Sequence, residues 1–154
     1  MCWHRQRDAP CAAGSANGAR RTVRSWLGEV FPGTAAADLI DDAELVTSEL
    51  TTNAVNAGCG ILALRLIVHD HWLEVALQDD ATGDPEIRRL TPTMTSGRGL
   101  SIVDALSLGW GVEPAPAGGK TVWSRLAVPP GLTARHRGCR QPKPPTGDAP
   151  GTGA

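Results

Sequence analysis

Glu49 and Asn53 are the first residues whose types and spacing suit chemistry. They stand four apart in Glu44-Leu-Val-Thr-Ser-Glu-Leu-Thr-Thr-Asn-Ala-Val-Asn-Ala-Gly58. On a helix they share a face. At about 100° per residue, Asn53 falls inside the apolar stripe of Val46, Leu50, Ala54 and Ala57, and Glu49 at its edge. A carboxylate and an amide turned toward a buried side need partners. A metal ion, a water or a ligand would serve; the plainer reading is a half-exposed Glu49 and an Asn53 bonded to nearby backbone. Asp79 is the second candidate. It continues the parity of Leu73, Val75 and Leu77, so a carboxylate stands where a strand's buried face would go on. The plainer reading there is a solvated strand end. Gly97-Arg98-Gly99-Leu100 is the third. Two glycines before a helix let backbone approach a ligand, and free N–H groups at a helix start favour an anion such as phosphate. The same glycines also make a tight entry turn.

These residues need elements to hold them. Glu44 to Gly58 reads as one helix, with Asp41 or Asp42 as its cap and Gly58 as its stop. Before it, Ala19 to Val30 reads as a helix from Val23, Trp26, Leu27 and Val30, with Arg20, Arg21 and Arg24 on the other side. Thr34 to Asp42 reads as a linker or short helical turn. Ile61 to Val68 and Trp72 to Gln78 alternate as strands around His69-Asp70-His71, which predicts an antiparallel hairpin. Asp80-Ala-Thr-Gly-Asp-Pro is a turn-rich exit. Glu86 to Ser96 has no period and reads as a mobile loop. Leu100, Val103 and Leu106 mark a helix over 100–108. Trp110 to Glu113 is a short strand, and Lys120 to Val128 is the last one, with Val122, Ser124, Leu126 and Val128 on one face.

Composition narrows the classes. The chain has 154 residues, is 41% hydrophobic and carries a net charge of -1. That suits one small globular domain and offers no bulk attraction to nucleic acid or membrane. No apolar run has the length of a membrane span or of a signal-peptide core, so a cytoplasmic location is expected. Residues 1–17 are mixed and rich in small side chains, and 130–154 are rich in Pro and Gly; both are expected to be disordered tails around a domain at 18–129. Cys2, Cys11, Cys59 and Cys139 are scattered, with no metal or redox spacing, and are expected as free thiols.

Taken in order, the motifs resemble the nucleotide-binding boxes of the GHKL (histidine-kinase-like) ATPase superfamily. Within it they resemble the anti-sigma-factor serine/threonine kinases and the small stand-alone ATP-binding regulatory proteins of actinomycetes. The residues that carry the resemblance are Glu49-Leu-Thr-Thr-Asn53-Ala-Val, then Asp79-Asp80-Ala81-Thr82-Gly83 with Ala81 in place of a glycine. Gly97-Arg98-Gly99-Leu100 with Ser-Ile-Val-Asp-Ala-Leu follows, and then Gly119-Lys120-Thr121 with Val-Trp-Ser-Arg-Leu. It covers roughly Ala19 to Leu126. Each box alone is weak; four in order are specific.

The resemblance implies a two-layer α/β sandwich of the Bergerat ATP-binding type, with a mixed, mostly antiparallel sheet and helices on one face. It implies ATP and Mg²⁺ as cofactors. Asn53 would hold the metal, and Glu49 would orient or deprotonate the attacking group. Asp79 would accept the adenine amino hydrogen, with a water shared by Thr121. Gly83 would let the chain pass close to the base, while Gly97, Arg98, Gly99 and Leu100 would wrap the phosphates. The implied partners are a sigma factor and an anti-anti-sigma-type protein whose serine receives the phosphate, and a homodimer is one implied assembly. Two other functions share these boxes: a non-catalytic ATP-binding interaction module and a detached histidine-kinase catalytic domain.

Overall fold

The computed structural model describes residues 3–81 and 98–134. The chain begins with strand β1 (Trp3–Pro10), where the sequence led us to expect a disordered tail. Helix α1 (Ser15–Val30) follows and buries Ala19, Val23, Trp26, Leu27 and Val30, the predicted stripe with one more turn in front. Phe31, itself buried, closes the helix by donating its N–H to the Leu27 carbonyl at 2.8 Å.

Helix α2 (Ala37–Asn56) is one element where a linker and a helix were expected. Leu39, Ile40 and Ala43 extend the buried stripe backwards, so Asp41 and Asp42 lie inside the helix and do not cap it. Asp38 sits in the first turn, where a negative charge suits the helix dipole. The far end agrees with expectation. Gly58 has φ +80°, its N–H bonds the Val55 carbonyl, and the Cys59 N–H bonds the Ala54 carbonyl. This double reversal requires a left-handed residue, which glycine supplies.

Strands β2 (Ile61–Val68) and β3 (Trp72–Asp79) form the predicted hairpin, closed by the His69 N–H on the Trp72 carbonyl at 2.8 Å. Helix α3 (Arg98–Leu106) starts and ends two residues earlier than expected, and strands β4 (Gly109–Pro114) and β5 (Lys120–Ala127) complete the order. The described residues form an α/β fold around one five-stranded sheet, β1-β2-β3-β5-β4. All of its pairings are antiparallel, so the mixed sheet expected from the resemblance is corrected.

β1 pairs along the whole of β2, from Trp3 opposite Val68 to Pro10 opposite Ile61. Backbone pairing holds it, because its alternation sets Arg5, Arg7 and Ala9 against His4, Gln6 and Asp8 and offers no apolar face. Charged side chains on an edge strand also discourage pairing with foreign chains. The same register brings residues 11 and 59 together just beyond its end. The Cys11 N–H bonds the Gly60 carbonyl at 2.9 Å, and Cys11 and Cys59 are joined in a disulfide with Cα atoms 5.7 Å apart. The expectation of free thiols is thus wrong for this pair.

One face of the sheet carries Leu62, Leu64, Leu66 and Val68 of β2, Leu73, Val75 and Leu77 of β3, and Leu126 of β5. These join the stripes of α1 and α2 and Val103 of α3 in a single core. Each fully buried Leu or Val stabilises the fold by on the order of 1.5–3 kcal/mol before entropy is counted. The opposite face carries Arg65, Trp72, Glu74, Trp123 and Arg125. The core fixes β3 under α2, and so sets the height at which Asp79 ends its strand.

Candidate functional site

Asp79 is the last residue of β3 and follows Leu77 on the core-facing side, where it is 3% exposed. A carboxylate so deep needs donors. Its Oδ1 accepts the Ala81 N–H at 3.0 Å and a hydrogen bond from Lys120 Nζ at 3.2 Å. The ion pair follows from register, because Asp79 and Lys120 are cross-strand partners between β3 and β5. Gly119 makes the approach possible. Its φ is +77°, and a Cβ there would overlap the Asp79 carbonyl oxygen. Any other residue would clash and strain the turn, so the turn between β4 and β5 can cross the end of β3 only on glycine.

Asp80 faces another way. Its Oδ1 accepts the backbone N–H groups of Gly60 at 2.7 Å and Ile61 at 3.0 Å, tying the end of β3 to the start of β2. Those two N–H groups, Ile61 first, hold its carboxyl below the usual carboxylate range. Ala81 has no positive φ, so the residue standing for a glycine sits here without backbone strain.

Glu49 lies half-buried on α2, and Asn53 lies one turn further on the same flank, also half-buried. Neither side chain has a hydrogen bond or ion pair among the described residues. Glu49 reaches α3: a Cβ on Gly99 would overlap Glu49 Oε2 and come within 3.4 Å of its Cδ. Gly99 therefore serves close packing of α3 against the α2 carboxylate. α3 is fixed from behind by two hydrogen bonds. Trp110 Nε1 donates to Asp104 Oδ1 at 2.9 Å, and the Ser107 and Ser124 hydroxyls bond at 2.7 Å.

The structure brings Glu49 and Gly99 together, and it sets Asp79 beside Lys120. Leu100 is partly buried and packs on the core. Thr121 does not join the set. It pairs with Gln78, and strand alternation turns it to the opposite face of the sheet from Asp79. Gly83 and Gly97 lie outside the described residues, as do the turn-rich exit beyond Ala81 and the loop at 86–96. Arg98 is the first residue of α3.

Sequence reasoning missed Lys120. The signal was present, because Lys120 shares parity with the core-facing Val122, Ser124 and Leu126. It was overlooked because a strand-end lysine reads as solvated.

Two open surface grooves lie elsewhere. One of about 800 Å³ runs between α1 and α2 past Arg20, Arg21, Arg24, Asp41, Glu44 and Leu45. It is open, and Arg24 is already committed there to Asp41 at 2.8 Å and to Glu44. We place the site by its chemistry, at Glu49, Asn53, Gly99, Asp79 and Lys120. No cluster of three or more His, Cys, Asp or Glu side chains among the described residues could hold a metal ion. No helix among them is long and apolar enough to cross a membrane. No protein-family model matches the chain, and a search of curated proteins finds no match.

Proposed function

We propose that the chain is an ATP-binding protein of the GHKL type, acting as an anti-sigma-type protein serine/threonine kinase that regulates transcription. One observation carries the reading. The α2 carboxylate Glu49 is packed on Gly99 in the first turn of α3, while a buried acceptor, Asp79, closes β3 beneath a glycine turn. In this reading the sheet and the helices of its core are a Bergerat-type layer pair.

The residues present suit an adenine nucleotide. Asp79 is an obligate acceptor when ionised and fits an exocyclic amine. Asn53 offers one hard oxygen, a donor that suits Mg²⁺ carried in on phosphates. When bound, the metal neutralises phosphate charge. Glu49 orients the incoming serine hydroxyl and takes its proton, since phosphoryl transfer depends mainly on positioning and charge. Gly99 keeps the start of α3 close, and the backbone around Arg98 and Leu100, with Gly97 before it, would follow the phosphates. Gly83 would lie near the base.

The proposed partners are a sigma factor and an anti-anti-sigma-type protein, with a homodimer as the assembly. We place the protein in the cytoplasm, where reducing conditions make Cys11–Cys59 the bond to examine first.

The test is calorimetric titration with ATP and Mg²⁺ of the wild type and of Asp79→Asn. Binding that the variant loses supports the site, and no binding by folded wild type overturns it. Labelled ATP with an anti-anti-sigma-type partner then tests the chemistry. Glu49→Ala is expected to abolish transfer to serine, and normal transfer by that variant removes its role. Binding without transfer in the wild type would leave the non-catalytic interaction module. Label on a partner histidine would identify a histidine-kinase catalytic domain.

A further inference from the structure

The β3–β5 register gives Asp79 a partner that the nucleotide reading did not foresee. Lys120 Nζ stands 3.2 Å from Asp79 Oδ1; the lysine side chain is 25% exposed and the carboxylate 2%. An ammonium has three N–H donors, and Asp79 takes one of them. The carboxylate has about four acceptor positions, and among the described residues Ala81 and Lys120 fill two, both on Oδ1. The pair therefore presents a donor and an acceptor side by side, with capacity left on each.

A structural counter-ion looks different in this same strand. Glu74, the other buried carboxylate of β3, has both oxygens engaged, Oε1 by Arg65 at 3.4 Å and Oε2 by Arg125 at 3.1 Å. Lys120 leaves Oδ2 of Asp79 to other donors and keeps its own ammonium partly open to solvent.

The consequence concerns which base the site can read. A lone carboxylate accepts from the adenine amine and repels the guanine carbonyl oxygen, which is itself an acceptor. With an ammonium beside it, guanine also finds a match. We propose that Lys120 makes this a two-point purine site that takes guanine as well as adenine nucleotides. Asp79 accepts the ring N–H and amine of guanine while Lys120 donates to its carbonyl oxygen. Adenine binds through its amine on Asp79 and needs no donor from Lys120. The inference rests on the nucleotide-site reading above and adds the base specificity.

The experiment is calorimetric titration of the full-length protein with ATP, GTP and inosine triphosphate, each with Mg²⁺. The wild type is compared with Lys120→Met and Lys120→Arg. The wild type is expected to bind GTP within about tenfold of ATP. The ATP-to-GTP affinity ratio should rise about 10- to 100-fold in Lys120→Met, the range that one charged hydrogen bond carries. Lys120→Arg should restore much of the GTP binding.

Inosine keeps the carbonyl and the ring N–H but lacks the amine, so the wild type should bind its triphosphate nearly as well as GTP. This arm holds even where Lys120→Met fails to fold. ATP binding without GTP binding in the wild type overturns the proposal. So does an ATP-to-GTP ratio unchanged in Lys120→Met, or GTP binding without inosine triphosphate binding. Absence of binding to all three nucleotides by folded wild type overturns the nucleotide site itself, a separate result.

Discussion

Glu74 and Asp79 sit five residues apart on β3, equally buried and on opposite faces, and the difference between them separates a structural carboxylate from the carboxylate of the proposed site. Glu74 lies mid-strand. Arg65 and Arg125 take its two oxygens, and the Arg125 guanidinium lies 4.6 Å from the Trp72 ring centre and 5.0 Å from that of Trp123. Each of its oxygens has a cationic partner. Asp79 lies at the strand end and has one flexible cation and one backbone N–H. Its surroundings are held by other means: the glycine turn above it, the Asp80 clamp beside it and the Cys11–Cys59 bond beyond that. The mid-strand carboxylate is paired with two guanidiniums, and one of them, Arg125, lies over tryptophan rings. The end carboxylate is framed by backbone constraints that leave its own chemistry open.

The comparison can be broken at its frame first. The Cys11–Cys59 bond spans 48 residues of sequence, and closing a loop of that size is worth up to about 4 kcal/mol in the chain-entropy picture. Cys59→Ser, or reduction of the wild type, is expected to lower unfolding stability by about 2–4 kcal/mol, read from the urea midpoint. The loss should be accompanied by faster hydrogen exchange in 3–10 and 59–61. A midpoint unmoved by reduction would mean that backbone pairing alone holds β1.

The next effect compares the two counter-ions directly. Arg125→Met leaves Glu74 buried with Arg65 alone and removes a guanidinium packed between two tryptophans. Breaking a buried pair costs about 3–5 kcal/mol, and the 28% exposure of Arg125 places this one near about 3 kcal/mol. Lys120→Met leaves Asp79 buried with the Ala81 N–H but removes no guanidinium stacked on tryptophan, so a smaller loss, about 2 kcal/mol, is expected. Chemical denaturation of both variants checks the order. If Lys120→Met proves the more damaging, Asp79 is the structural carboxylate and the contrast is reversed.

The legibility of the chain follows the same division. Elements with an apolar period were readable: α1, most of α2, the β2–β3 hairpin, α3 and β5. In each, the core-facing side chains repeat at 3.6 or 2 residues, because burial drives them there. β1 was not readable. Arg5 and Arg7 take the positions that apolar residues would fill, and Arg7 Nη1 instead hydrogen-bonds Thr22 Oγ1 of α1. The disulfide was hidden for a related reason, since residues 11 and 59 meet only through the β1–β2 register. Of the candidate site residues, Glu49, Asn53 and Asp79 stood out in the sequence as polar groups on or beside apolar faces. Thr121 entered by motif position, whereas strand parity puts Lys120 on the face of Asp79.

The smallest predicted effect tests whether the frame around Asp79 depends on charge as well as geometry. Asp80 is fully exposed, yet its carboxylate accepts the Ile61 and Gly60 N–H groups, and these depress its pKa. A depressed carboxyl pKa means that the unfolded chain takes up the proton first as pH falls. The stabilisation is therefore complete above the unfolded value, about 3.9, and is lost as pH drops through the folded value below it. Asp80→Asn keeps an oxygen acceptor for the two N–H groups but cannot titrate. The midpoint difference between wild type and variant should be constant above about pH 5 and shrink below about pH 4. Urea titrations of both proteins from pH 2 to 6 would show this, because every other acid-sensitive group cancels in the difference. Parallel curves across that range would mean that the clamp works through geometry alone, and that Gly119 and the Cys11–Cys59 bond set the position of Asp79 without help from charge.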